Sequence, residues 1–220
     1  MMPFDSSDPL PPEADLALAW SPPAVRGPMA AAFQLDRRLA RIVARTTEPM
    51  LGQMRLAWWR DALGKPVADR PRGDVVLDAI SAEWAGREAA LATMVDGWEV
   101  LVTADQLDRD AIEGFGAQRS AIFGALDGDL RPAEAEMVAA AGFRWALADA
   151  AGSVSDAGER AMLIDAGLGR SAPRGRMPRP LRGLAVLNAL AVRSLQRGGR
   201  PMMEGRGAPL IAMRAAIFLT

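Results

Sequence analysis

Carboxylates and guanidinium groups are almost the only chemically capable side chains in this sequence. It has no His, no Cys and no Tyr, and Lys65 is the only lysine among 26 basic residues. A Cys or His metal site, a Ser-His-Asp triad, a thiol nucleophile and a histidine acid/base are therefore excluded. What remains is oxygen-ligated Mg²⁺ acting on phosphate-bearing substrates, or no catalysis. Carboxylates four residues apart on a helix share a face and can grip such an ion, and Asp74-Val75-Val76-Leu77-Asp78 has that spacing. It follows a Gly/Pro stretch, so Asp74 is expected to cap a helix and Asp78 to face solvent. Asp105, Asp108 and Asp110 lead into a helix and suit its dipole. Asp127-Gly128-Asp129 reads as a turn, and Glu134 and Glu136 lie on opposite sides of a first turn. Gly198-Gly199 and Gly205-Arg206-Gly207 lack the strand–loop–helix setting of a phosphate loop.

The elements that must position these groups are helices. The 220 residues suffice for one domain with a buried core, read as residues 13–220 behind a flexible, Pro-rich segment 1–12. Helices are expected over Glu13–Trp20, Ala24–Ala44, Met50–Leu63, Val75–Trp84, Arg87–Val102 and Arg109–Leu126. Further ones are expected over Ala133–Val154, Asp156–Leu168, Pro180–Gln196 and Ala208–Phe218. Pro22-Pro23 ends the first, Phe33, Leu35, Leu39, Ile42 and Val43 give the second its apolar face, and Leu51, Met54 and Trp58 form a core-facing stripe on the third. Val and Ile do not alternate as in strands. The fold expected is an all-α, single-domain helical bundle. The N-terminus lacks a basic stretch followed by an apolar run, and no apolar window reaches the length of a membrane span, so a cytoplasmic protein is expected.

Charge is balanced overall, at -1, but not along the chain. Residues 61–169 carry nine basic and twenty acidic groups, whereas 170–220 carry ten and one. The basic segment reads first as a solvated face pairing with the acidic body, and then as a surface for anionic lipid or a phosphate ligand. Nucleic acid is not expected as a partner, because no stacking aromatics accompany the charge.

Identity is concentrated in Arg26 to Leu63, RGPMAAAFQLDRRLARIVARTTEPMLGQMRLAWWRDAL. The tract from Glu48 to Leu63 resembles the helix EPxLGxxRLxWWRxAL of the squalene/phytoene synthase family, with Pro49, Leu51, Trp58 and Trp59 on its signature positions. Met94-Val95-Asp96-Gly97-Trp98-Glu99 is similar to that family's mid-domain I-[DE]-G helix, and the likeness runs collinearly from about Asp15. The resemblance implies a terpenoid-synthase bundle with a central cavity, in which two prenyl diphosphates are joined head to head. In that family, two facing Asp-rich helices hold the Mg²⁺ that grips diphosphate.

Setting Arg26, Phe33 and Arg37 on the family pattern places its first Asp-Asp-x-x-Asp motif on Ala40, Arg41, Ile42, Val43 and Ala44. Two carboxylates become Ala and one becomes Arg. The second motif belongs on a helix around residues 143–165, where Asp149 and Asp156 are the nearest metal-ligand candidates. Arg26, Arg37, Arg41, Arg55 and Arg60 are the diphosphate-binding candidates that the resemblance implies. The loss of the first motif makes the expected function that of a non-catalytic binding or assembly protein without a cofactor, like the branch needed for respiratory complex I assembly. The alternative is a working, Mg²⁺-dependent prenyltransferase. A prenyl diphosphate or another isoprenoid lipid is the expected ligand, with membrane-surface contact through residues 170–220.

Overall fold

The computed structural model describes residues 9–46, 48–104 and 106–219. Residues 1–8 of the Pro-rich segment, Thr47 and Asp105 lie outside the described residues. Proline and side-chain caps set most helix starts. Proline is the first helical residue of α1 (Pro12–Trp20), α2 (Pro23–Arg45), α3 (Pro49–Gly64) and α8 (Pro132–Ser153), where its missing N–H is no loss. Asp74, Asp108 and Asp156 cap α4 (Val75–Glu83), α6 (Arg109–Arg119) and α9 (Ala157–Gly169) through their carboxylates. The other helices are α5 (Glu88–Thr103), α7 (Ala121–Gly124), α10 (Arg182–Gln196) and α11 (Ala208–Phe218). The 3₁₀ turns Val67–Asp69 and Arg179–Leu181 complete the helical structure.

There are thus eleven α-helices among the described residues, and no strand. Each of the ten expected ranges holds a helix, and the eleventh arises because the segment read as Arg109–Leu126 breaks at Ser120. Its hydroxyl bonds back to the Ala117 carbonyl at 3.1 Å, which competes with helix propagation. The Asp74 carboxylate accepts from the Val76 and Leu77 amides at 2.9 and 3.1 Å and is met by Arg38 at 3.3 Å, while Asp78 is exposed. That pair is therefore a cap and a surface residue.

Helix α8 packs against α6, α9 and α10, while α2 packs against α4 and α5, and α5 against α3 and α6. Helix α10 is flanked by α1 and α11. The core is continuous through the bundle, with Phe33, Phe123 and Trp145 meeting at ring separations of 5.3 to 6.3 Å.

The expected stripe on α3 faces the wrong way. Leu51, Met54 and Trp58 are 44%, 63% and 41% exposed, and Gly52, Leu56, Trp59, Ala62 and Leu63 turn inward instead. Both sets recur at three- and four-residue steps, so periodicity does not choose between them. Two contacts across to α5 do. A Cβ on Gly52 would lie 3.1 Å from Val102, and Arg60 donates to Asp96 at 2.7 Å and also to Glu99.

Candidate functional site

The sequence puts three charged residues on otherwise apolar helix faces, and the fold brings them together. Asp36 follows Met29, Ala32 and Phe33 on α2, Arg119 follows Ile112, Phe115 and Gly116 on α6, and Asp149 follows Trp145 and Ala146 on α8. Arg119 donates from Nε to one Asp36 oxygen at 2.8 Å and from Nη2 to the other at 2.7 Å. Nη2 also reaches Asp149 at 2.7 Å, and Nη1 the Ala146 carbonyl at 3.2 Å. The guanidinium lies 4.6 Å from the Trp98 ring and 4.5 Å from that of Trp145, and the Trp98 indole donates to Asp36 at 2.8 Å. One buried cation thus holds two carboxylates between two indoles. Burial opposes its charge, but Asp36 and then Asp149 outweigh that, and the guanidinium pKa is raised above the ordinary arginine value.

The mid-domain motif explains how this network is assembled. A Cβ on Gly97 would stand 2.7 Å from the Arg119 amide nitrogen, so only glycine lets α5 approach α6 this closely. The two neighbouring residues point to different partners: Asp96 holds Arg60 of α3 and Trp98 binds Asp36.

The start of α1 closes this centre. Glu13, Ala14 and Pro11 join Phe33, Asp36, Arg37, Arg119, Trp145 and Asp149 around a space of about 10 Å³, the size of a single water. Burial raises the Glu13 pKa above its ordinary value, and the Asp149 charge adds to this, against the opposing effects of a backbone hydrogen bond and Arg37. A groove of about 1060 Å³ does exist between α6, α8 and α9, beside Ile112, Glu113, Met162 and Arg170. None of the residues around it belongs to the Arg119 network.

Of the sequence-derived candidates, Arg37 and Asp149 meet at this centre and the others are dispersed. Ala40 and Arg41 are half-buried and Ala44 is exposed, one to two turns beyond Asp36 on α2. Arg26 is held by the Leu18 and Ser21 carbonyls at 3.0 and 2.9 Å, Arg55 is exposed, and Arg60 is engaged by α5. Arg37 lines the small space beside Glu13, with its Nε buried and lacking a hydrogen-bond partner. Asp149 is committed to Arg119. Asp156 caps α9 by accepting from the Glu159 amide at 2.8 Å. Among the described residues no group of three or more acidic side chains could hold a metal ion. Asp149 and Asp156 already have other partners, so the donor set does not fit Mg²⁺. Of the signature residues, Pro49 starts α3 and Trp59 is buried beside the exposed Trp58, their rings meeting edge to face at 5.1 Å.

Sequence reasoning overlooked Asp36, Trp98, Arg119 and Trp145. The available signal was the position of Asp36 and Arg119 within apolar stripes, where a charge requires a buried partner.

Among known families, the one described as Squalene/phytoene synthase matches residues 13–126, from α1 through α7. No curated protein and no solved structure matches the chain. The matched stretch includes the tryptophan pair of α3, its clamp onto α5, and the Asp36–Trp98–Arg119 part of the buried network. By that match over more than half its length, the chain belongs to the squalene/phytoene synthase family.

Proposed function

We propose that this chain is a non-catalytic member of its family, with a binding or assembly role. The observation that carries this reading is the Arg119 centre. The candidate carboxylate on α8 neutralises a protein cation instead of facing a metal, and only about 10 Å³ is left beside it. Ionisation of an allylic diphosphate needs Mg²⁺ or an equivalent cluster of cations at the departing group. Arg119 cannot serve, because its charge is already spent on Asp36 and Asp149. Its aromatic walls are packed against it and leave no room for prenyl chains.

The partner proposed is an isoprenoid or other lipid at the protein surface, with peripheral contact on an anionic membrane. Helix α11 supports this. Its alanines Ala208, Ala212, Ala215 and Ala216 are buried, while Leu210, Met213, Ile217 and Phe218 are 47% to 64% exposed. Those apolar side chains lie in the segment that carries ten arginines and one acid, a combination suited to an anionic interface. No helix among the described residues is long and apolar enough to cross a membrane.

Purified protein given Mg²⁺ and farnesyl or geranylgeranyl diphosphate is expected to release no pyrophosphate. Turnover that disappears in Asp149→Ala would replace this reading with a prenyltransferase. Co-sedimentation with phosphatidylglycerol vesicles, but not with phosphatidylcholine vesicles, is expected to weaken in Ile217→Glu.

A further inference from the structure

A second group of arginines lies at the other end of α1. Ser21-Pro22-Pro23 turns the chain from α1 into α2, and the Ser21 hydroxyl is buried, donating to the Ala17 carbonyl at 2.8 Å. Helix α10 begins against this turn. A Cβ on Gly183 would stand 2.6 Å from the Ala17 carbonyl oxygen and would also collide with the Ser21 hydroxyl, so glycine sets the closeness of the two segments. That contact brings Arg182 and Arg179 beside Arg26. The three guanidinium groups, with Trp20, Pro23 and Pro180, line a cavity of about 460 Å³ without a single carboxylate.

The electrostatics of this cavity are unbalanced. Several arginines elsewhere in the molecule meet carboxylates: Arg119 two aspartates, Arg60 Asp96 and Glu99, Arg70 Glu88, and Arg170 Glu113. Among the described residues Arg26, Arg179 and Arg182 form no ion pair. The Arg182 Nε is buried with no hydrogen-bond partner, a state that costs free energy unless something accepts from it. Arg26 spends two N–H groups on the carbonyls that end α1, which fixes its position without neutralising its charge.

We propose that this cavity binds a phosphate group bearing two negative charges, a phosphomonoester or a diphosphate. Planar N–H forks match phosphate oxygens in pairs, and three cations without a carboxylate suit a dianion better than a carboxylate or a phosphodiester. The Trp20 indole and the prolines give the cavity an apolar wall for whatever the phosphate is attached to. The site is distinct from the filled centre between α2 and α8, and it stands whether or not the chain catalyses a reaction.

Titration calorimetry of the whole chain with inorganic pyrophosphate tests the proposal. Binding is expected, to weaken about tenfold or more in both Arg179→Gln and Arg182→Gln and to stay unchanged in Arg131→Gln, which removes an exposed charge elsewhere. Arg179 is exposed and its side chain makes no hydrogen bond or ion pair among the described residues, so its variant remains informative if Arg182→Gln unfolds; circular dichroism checks both. The source of the phosphate is separated by vesicles. If pyrophosphate fails to bind but phosphatidic acid vesicles are preferred over phosphatidylglycerol vesicles, and Arg179→Gln abolishes that preference, the phosphate belongs to a lipid headgroup. Failure to bind either probe, or binding of either that survives Arg179→Gln, overturns the proposal. Neither outcome bears on pyrophosphate release from a prenyl substrate, which tests the loss of catalysis separately.

Discussion

Arg119 of α6 and Arg182 of α10 lie beside opposite ends of the short helix α1 and meet opposite surroundings. Near the start of α1, Arg119 is fully enclosed, with two aspartates, a backbone carbonyl and two indoles around its guanidinium. At the end of α1, Arg182 is half-buried among two further arginines and no acid. The nine residues of α1 span only about 13 Å at 1.5 Å per residue. The difference teaches that counter-charge is set by what the fold packs against an arginine, two aspartates for Arg119 and none for Arg182, and the proposed phosphate site rests on that contrast.

The comparison breaks most readily at Arg119. Arg119→Leu leaves the buried Asp36 carboxylate without its counter-charge and next to that of Asp149, and denaturant unfolding is expected to register a loss of about 3–5 kcal/mol. A variant as stable as the wild type would mean that the network does not hold the fold, and the contrast would fail at its structural end. Gly183→Ala probes the other end. The added methyl meets a carbonyl and a hydroxyl, so α10 must shift away from α1, with an expected loss of about 1–3 kcal/mol. Pyrophosphate binding is expected to fall with it, because Arg182 moves away from Arg26; unchanged stability and binding would show that close packing does not set the cavity.

The smallest effect is a pH-dependent one at Glu13. Its folded-state pKa is raised, chiefly by burial and also by Asp149. The folded state therefore prefers the protonated form and loses stability as pH rises from the ordinary carboxylate value of 4.5 through the raised one. Glu13→Gln is expected to raise Tm at pH 7, with the advantage shrinking as pH falls through the raised value and gone below about pH 4.5, where the wild-type carboxyl is protonated in both states. A Tm gain independent of pH, or a loss at pH 7, would sink the assignment of Glu13 as an uncomfortable neighbour of the Asp149 carboxylate.

Much of the fold was legible. Prolines and aspartates marked the helix starts, and the ranges read from them lie within a few residues of α1 to α5 and α8 to α11, while Arg109–Leu126 spans both α6 and α7. The faces were less legible where a helix is apolar on more than one side. Trp58 and Trp59 are adjacent and chemically identical, and only the pairing of α3 with α5 buries the second while leaving the first at the surface. The site was read from the positions that a related chain would use, and most of these scatter into a cap, an interhelical clamp and the later turns of α2, while Arg37 and Asp149 meet at the buried centre. The residues that do converge, Asp36, Arg119 and Asp149, are 113 positions apart from first to last, and nothing local joins them.

By itself the sequence determined the chemical repertoire, the helical class and the family, because composition, capping residues and a sixteen-residue tract are local properties. The resemblance further implied that the family's first carboxylate positions hold Ala40, Arg41 and Ala44. Only the tertiary structure decided which charges neutralise each other. Coulomb attraction and desolvation act over a few ångströms in space, and those few ångströms separate an arginine held by two aspartates from one that faces a cavity without any.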